Sequence, residues 1–86
     1  MKITILPIAR NKLTRRDIAI EWVTETVEKP TQIVSGYGGR QIAQRKYILG
    51  EKEYLLRVVY QEENMEIIVI SAYLTSQIKK YWKEED

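Results

Sequence analysis

Between Thr31 and Tyr73 the chain strings together four runs that favour extended backbone, with only short links between them. The runs are TQIVS (31–35), RQIAQRKYIL (40–49), EYLLRVVY (53–60) and MEIIVISAY (65–73). β-branched and aromatic residues are frequent in them, as a pleated, half-buried surface favours. The links centre on GYGG (36–39), GEK (50–52) and EEN (62–64). Links this short cannot carry a parallel crossover, which takes a dozen residues or more. Each run must therefore pair antiparallel with the next, and the spacing predicts a four-stranded meander.

Ahead of the strands lies a helical pattern. At 100° per residue, Ile18, Ala19, Ile20, Trp22, Val23, Thr26 and Val27 share one broad arc, and Asp17, Glu21, Thr24, Glu25 and Glu28 the opposite one. Thr14 is the expected N-cap, Asp17 favours the positive end of the helix, and Pro30 closes it. The opening KITIL (2–6) fits an edge strand or an extended arm. The tail TSQIKKYWK (75–83) fits a final helical turn or two, with Ile78, Tyr81 and Trp82 inward and its lysines outward. The fold expected is α+β. One N-terminal amphipathic helix packs on a four-stranded antiparallel sheet, a short helical tail follows, and residues 1–86 form a single domain.

The glycine cluster SGYGGR (35–40) raises the question of a phosphate-cradling loop. A dinucleotide fingerprint starting at Gly36 requires glycine at position 41, which is Gln41, and no Gly-Lys-Ser/Thr ends the segment. Both motifs also sit between a strand and a helix, whereas this one sits between two strands. The cluster is expected to be a β–β turn whose glycines supply positive φ. It would hold Tyr37 and Arg40 at one edge of the sheet.

The chain has no cysteine and no histidine. That removes disulfides, a thiol nucleophile, the usual zinc ligands and the usual general base near neutral pH. No cofactor is expected. No apolar run approaches the roughly 20 residues that span a bilayer, and no leader pattern opens the sequence. A cytoplasmic protein without a membrane partner is expected. Charge is segregated: Lys2, Arg10, Lys12, Arg15 and Arg16 occur with no acid among them, as do Arg40, Arg45 and Lys46. Such clustering suits an anionic partner.

Alternation along the strands sorts side chains onto two faces. If the link at 62–64 sets the register, Leu56, Val58, Ile68 and Ile70 face the helix. Arg57, Ser71 and Tyr73 then face away, and Arg45 and Tyr47 join them across the preceding hairpin. Two arginines and two tyrosines gathered there would form a groove for phosphate oxygens and bases.

Read together, IARNKLTRRDIAIEWVTETVEKP, GRQIAQRKYI, YLLRVVY and IIVISAYLTSQIKKYW resemble the DUF4258 family of small bacterial proteins, over roughly residues 8–82. That family looks like a branch of the RelE/ParE toxin superfamily, in which one or two N-terminal helices lie against an antiparallel sheet. The resemblance implies a toxin with a protein antitoxin as partner. RelE-like members cleave mRNA, often on the ribosome, and ParE-like members poison DNA gyrase. Arg16, Arg40, Arg57 and Tyr73 match family positions. Many members carry a histidine where this chain has Ile8.

On that resemblance the expected activity is metal-independent endoribonucleolytic cleavage of mRNA. A ribose 2′-hydroxyl attacks the adjacent phosphate and leaves a cyclic phosphate. Arg57 with Arg45 or Arg40 stabilises the charge on the phosphoryl oxygens. Tyr73 or Tyr47 moves the proton, which requires neighbouring arginines to lower a phenol pKa from near 10. Ser71 completes the catalytic group. Arg10, Arg16, Arg40, Lys46, Lys79 and Lys80 are the expected RNA-binding residues. The alternative is a non-enzymatic binding module of the same fold, directed at gyrase or at an antitoxin alone, and the missing histidine favours it.

Overall fold

The computed structural model describes residues 1–84; the tail acids at 85 and 86 lie outside them. Its elements are β1 (Lys2–Ile5), α1 (Pro7–Arg15), α2 (Ile20–Glu28), β2 (Gln32–Ser35), β3 (Gln41–Leu49), β4 (Lys52–Glu63), β5 (Glu66–Thr75) and α3 (Ile78–Tyr81). They form one α+β sheet structure with strand order β1-β5-β4-β3-β2. Strands β2 to β5 make the antiparallel meander read from the short links. The sheet is nevertheless five-stranded and mixed, because β1 pairs parallel with β5 from Lys2↔Glu66 to Ile5↔Val69. The expectation of a four-stranded, purely antiparallel sheet is corrected on this point. No helix among the described residues is long and apolar enough to cross a membrane.

The single long helix expected after Thr14 is two helices. Pro7 opens α1 at a position where its missing N–H loses nothing. Thr14 is interior to α1, and its hydroxyl donates back to the carbonyl of Arg10 at 3.1 Å. Asp17 takes φ 55°, the left-handed region. The Ile18 N–H donates to the Leu13 carbonyl at 2.9 Å and the Asp17 N–H to the Thr14 carbonyl at 3.2 Å. These are the paired bonds of a Schellman C-cap, and its customary hydrophobic contact is supplied by Ile18 and Leu13, both in the core. Asp17 therefore ends one helix rather than starting another, and the phase of α2 is reset. Ala19 and Ile20, expected inward, are exposed, while Val23, Thr26 and Val27 are buried.

Both helices cover one face of the sheet. Ala9 and Leu13 of α1 and Val23 and Val27 of α2 pack on Ile5, Ala43, Leu56, Val58, Ile67, Val69 and Ala72. Burying a leucine such as Leu56 completely contributes about 1.5–3 kcal/mol. Ala43 and Ala72 have no exposed surface; their small side chains let the helices approach the backbone.

The hairpin links behave as the sequence requires in kind but not in length. Gly50 and Glu51 both have positive φ, 54° and 69°, and so do Asn64 and Met65, 49° and 63°. Each link is thus a two-residue turn of the type I′ kind. The glycine cluster is a β–β turn, with Gly38 at φ 68° and Gly39 at φ 79°, and it presents Tyr37 almost wholly exposed. A bulge between Val59 and Tyr60 leaves Ile70 without a partner. Ile67 and Val69 consequently face the helices in place of the expected Ile68 and Ile70.

Candidate functional site: a guanidinium held by neutral groups

On the face away from α1 and α2, the register aligns Gln32↔Gln44, Gln44↔Arg57 and Arg57↔Tyr73 across four adjacent strands. Thr75 ends β5, and the chain then turns back over this row through α3, which sets Tyr81 upon it. Arg57 is only 8% exposed. Its Nε donates to Gln44 Oε1 at 2.7 Å, and one Nη donates to the Tyr73 hydroxyl. The guanidinium carbon lies 4.1 Å from the Tyr81 ring centroid and 5.7 Å from that of Tyr73. Both rings offer their negative faces to the cation.

Among the described residues, no carboxylate lies within ion-pair distance of Arg57. No wholly buried side-chain nitrogen there lacks a hydrogen-bond partner. The second Nη, which has no partner among the described residues, is therefore not wholly buried. Arg57 also lines an open cleft of about 440 Å³, together with Val34, Ser35 and the segment Lys80–Lys83. The Tyr73 hydroxyl accepts from Arg57, and its own proton has no acceptor among the described residues.

The tail is pinned through its backbone. Gln44 Nε2 donates to the Tyr81 carbonyl at 3.2 Å and to Gln32 Oε1 at 3.1 Å. Gln32 Oε1 accepts from the Lys83 N–H at 3.0 Å, and its Nε2 donates to the Lys83 carbonyl. Lys46 sits on this face too, its Nζ 4.1 Å from the Trp82 ring.

The group of five expected from the sequence is split. Arg57 and Tyr73 touch, and Ser71 lies on their face opposite Val59 without a hydrogen bond to either. Arg45 and Tyr47 are on the other face. Arg45 donates to the Lys29 carbonyl at 2.8 Å, just past the end of α2, and approaches Glu25 at 3.5 Å. Tyr47 stacks on Trp22 with ring centroids 4.3 Å apart and donates to Glu25 Oε1 at 2.6 Å. Burial, followed by the hydrogen bond to Glu25, raises the Tyr47 pKa. A phenol lowered by nearby arginines is therefore not what Tyr47 provides. Both residues clamp α2 to β3.

The expected RNA-binding residues divide likewise. Lys46, Lys79 and Lys80 belong to the Arg57 face or to α3 above it. Arg10 is on α1, and Arg16 caps α1 and donates to the Ala72 carbonyl at 2.8 Å. Arg40 is exposed beyond the glycine turn.

Sequence reasoning missed Gln32 and Gln44 and treated Tyr81 only as packing. The signal that finds Gln44 is the link Gly50–Glu51. Read as a two-residue turn it pairs Leu49 with Lys52, which puts Gln44 opposite Arg57. Comparison of the chain with family models, with curated proteins and with solved structures finds no match.

Proposed function

We propose that this chain is the toxin of a bacterial toxin–antitoxin pair and cleaves mRNA, without a metal, at the cleft over Arg57. The observation that carries the reading is a nearly buried guanidinium with no carboxylate partner among the described residues, in contact with a tyrosine hydroxyl and lining a cleft that two lysines share. Arginine's fork suits phosphate oxygens, and a low-dielectric setting strengthens its pull on charge that develops there. In the reaction, a ribose 2′-oxygen bonds to phosphorus and the bond from phosphorus to the 5′-oxygen breaks. A cyclic phosphate and a 5′-hydroxyl result. The Tyr73 hydroxyl accepts from Arg57 and donates to no group among the described residues, so it is the group placed to protonate the leaving 5′-oxygen. The proton of the 2′-hydroxyl passes to water. Tyr81 and Trp82 supply rings on which bases can stack, and Lys46, Lys79 and Lys80 attract the backbone. The partner that restrains such a toxin is a cognate antitoxin protein, and the site of action is the cytoplasm.

A second reading, a non-enzymatic binding module of the same fold, is favoured by one specific observation. With Arg45 and Tyr47 on the other face, Tyr73 is, among the described residues, the one phenol whose hydroxyl is hydrogen-bonded to Arg57. Inducible expression with transcript mapping separates the two. The nuclease yields new 5′-hydroxyl ends within minutes, and these vanish in Tyr73→Phe. Intact transcripts alongside arrested growth select the binding module.

A further inference from the structure

Gln44 has no exposed surface, and it had no place in the sequence-based reading of the site. Its carboxamide joins Arg57, Gln32 and the Tyr81 backbone. Buried charges are ordinarily paired with an opposite charge. A glutamate at position 44 would occupy nearly the same volume and could reach the same nitrogen. The chain has the amide instead. The hydrogen bonds and ring contacts of the Arg57 guanidinium among the described residues are all to neutral groups: the Gln44 amide oxygen, the Tyr73 phenol oxygen and the faces of two tyrosine rings. These contacts orient the group without cancelling its charge.

We infer that Gln44 is a positioning residue that fixes the plane of Arg57 while leaving its charge uncompensated, so that the cleft takes a tetrahedral oxyanion of the phosphate type. The inference deepens the RNA reading and rests on it for the natural ligand, a phosphodiester. The affinity of the cleft for the anion itself follows from the surroundings of Arg57 alone. Arg57 lines the cleft and keeps one Nη without a hydrogen bond among the described residues, and Lys80 and Lys83 line the same cleft. An amide at position 44 is thus a requirement on charge, beyond the requirement on shape.

The test uses the full chain, inorganic phosphate at low ionic strength, and the Arg57 Nε–H resonance followed by NMR. In the wild type, phosphate shifts that resonance saturably. Gln44→Glu keeps Nε–H hydrogen-bonded, yet phosphate affinity falls at least about tenfold, because the anion now competes with an internal carboxylate. Gln44→Met removes the hydrogen bond and leaves the charge, and affinity falls by no more than about threefold. Three results overturn the inference: no saturable shift in the wild type, unchanged affinity in Gln44→Glu, or an equal loss in Gln44→Met. Should Gln44→Glu fail to fold, Ser35→Glu carries the charge requirement from an exposed position lining the cleft. It is expected to weaken phosphate at least about fivefold, and an unchanged affinity there also overturns the inference. Intact transcripts together with the expected phosphate series would sink the nuclease reading and leave the role of Gln44 standing.

Discussion

The Arg57 guanidinium stacks beneath Tyr81, with 4.1 Å between its central carbon and the ring centroid. A residue of the fourth strand and a residue of α3 therefore meet in one cluster. Arg57→Ala is expected to abolish RNA retention and growth arrest. It also strands the buried Gln44 oxygen, which costs about 1–3 kcal/mol of stability. Circular dichroism and thermal melting check that the variant is folded at the assay temperature. A folded, fully toxic Arg57→Ala protein would remove the site from consideration.

Arg45→Ala is expected to behave in the opposite way. It removes the bond to the Lys29 carbonyl at 2.8 Å and an exposed ion pair with Glu25. Stability should fall by about 0.5–1 kcal/mol in urea denaturation, while RNA binding and toxicity remain at the wild-type level. This pair of arginine variants is the direct check on which face of the sheet carries the activity.

RNA affinity should decline steeply with salt, by about 0.7 in logarithmic slope for each single-strand phosphate contacted. Alanine at Lys46, Lys79 or Lys80 should each reduce the slope by about that amount, and alanine at Arg10, on the helical face, should not. Fluorescence anisotropy of a labelled oligonucleotide across a salt series measures this. A flat response would point to a protein target.

Alkaline stability follows from the two tyrosines whose pKa values are raised above 10.0. Burial is the main cause at both, aided by Glu25 at Tyr47 and by the charge of Glu62 at Tyr60. A raised pKa means that the folded state holds the phenolic proton more tightly than the unfolded chain. The associated stability is complete below the unfolded value and is lost as pH climbs through the folded one. Urea midpoints should hold steady to about pH 10 and fall above it. Tyr47→Phe keeps the stack on Trp22, costs about 1 kcal/mol at neutral pH, and should make the alkaline decline shallower.

Asp17 sits at φ 55° between the two helices. Asp17→Val should lower stability by about 1 kcal/mol or more, since a β-branched residue resists that conformation. Asp17→Gly should be neutral or raise the melting temperature. Equal losses in both would mean that the Asp17 side chain, rather than its backbone, ends α1.

The meander, the glycine turn and the tail turn were legible because turn chemistry and alternation are local. The parallel strand β1 was not, since KITIL carries nothing that names its distant partner β5. The helix break was hidden because Asp17 fills a position usually given to glycine. The site was half legible for a geometric reason. Treating GEK as a three-residue link slips the hairpin by one position and exchanges Arg45 for Gln44 opposite Arg57. A comparable slip at the next hairpin was undone by the bulge at Ile70, which returned Ser71 and Tyr73 to the Arg57 face.

The pairing of Lys2 with Glu66 joins β1 to β5, the two strands of this sheet farthest apart in sequence. During translation β1 emerges before the rest of the sheet and stays without its partner until β5 has followed. Closing so long a loop is slow compared with forming a helix or hairpin. The row from Gln32 to Tyr73 and the turn that roofs it depend on the same late segment. The row is therefore assembled only once β5 and α3 have followed β1 to β4 out of the ribosome.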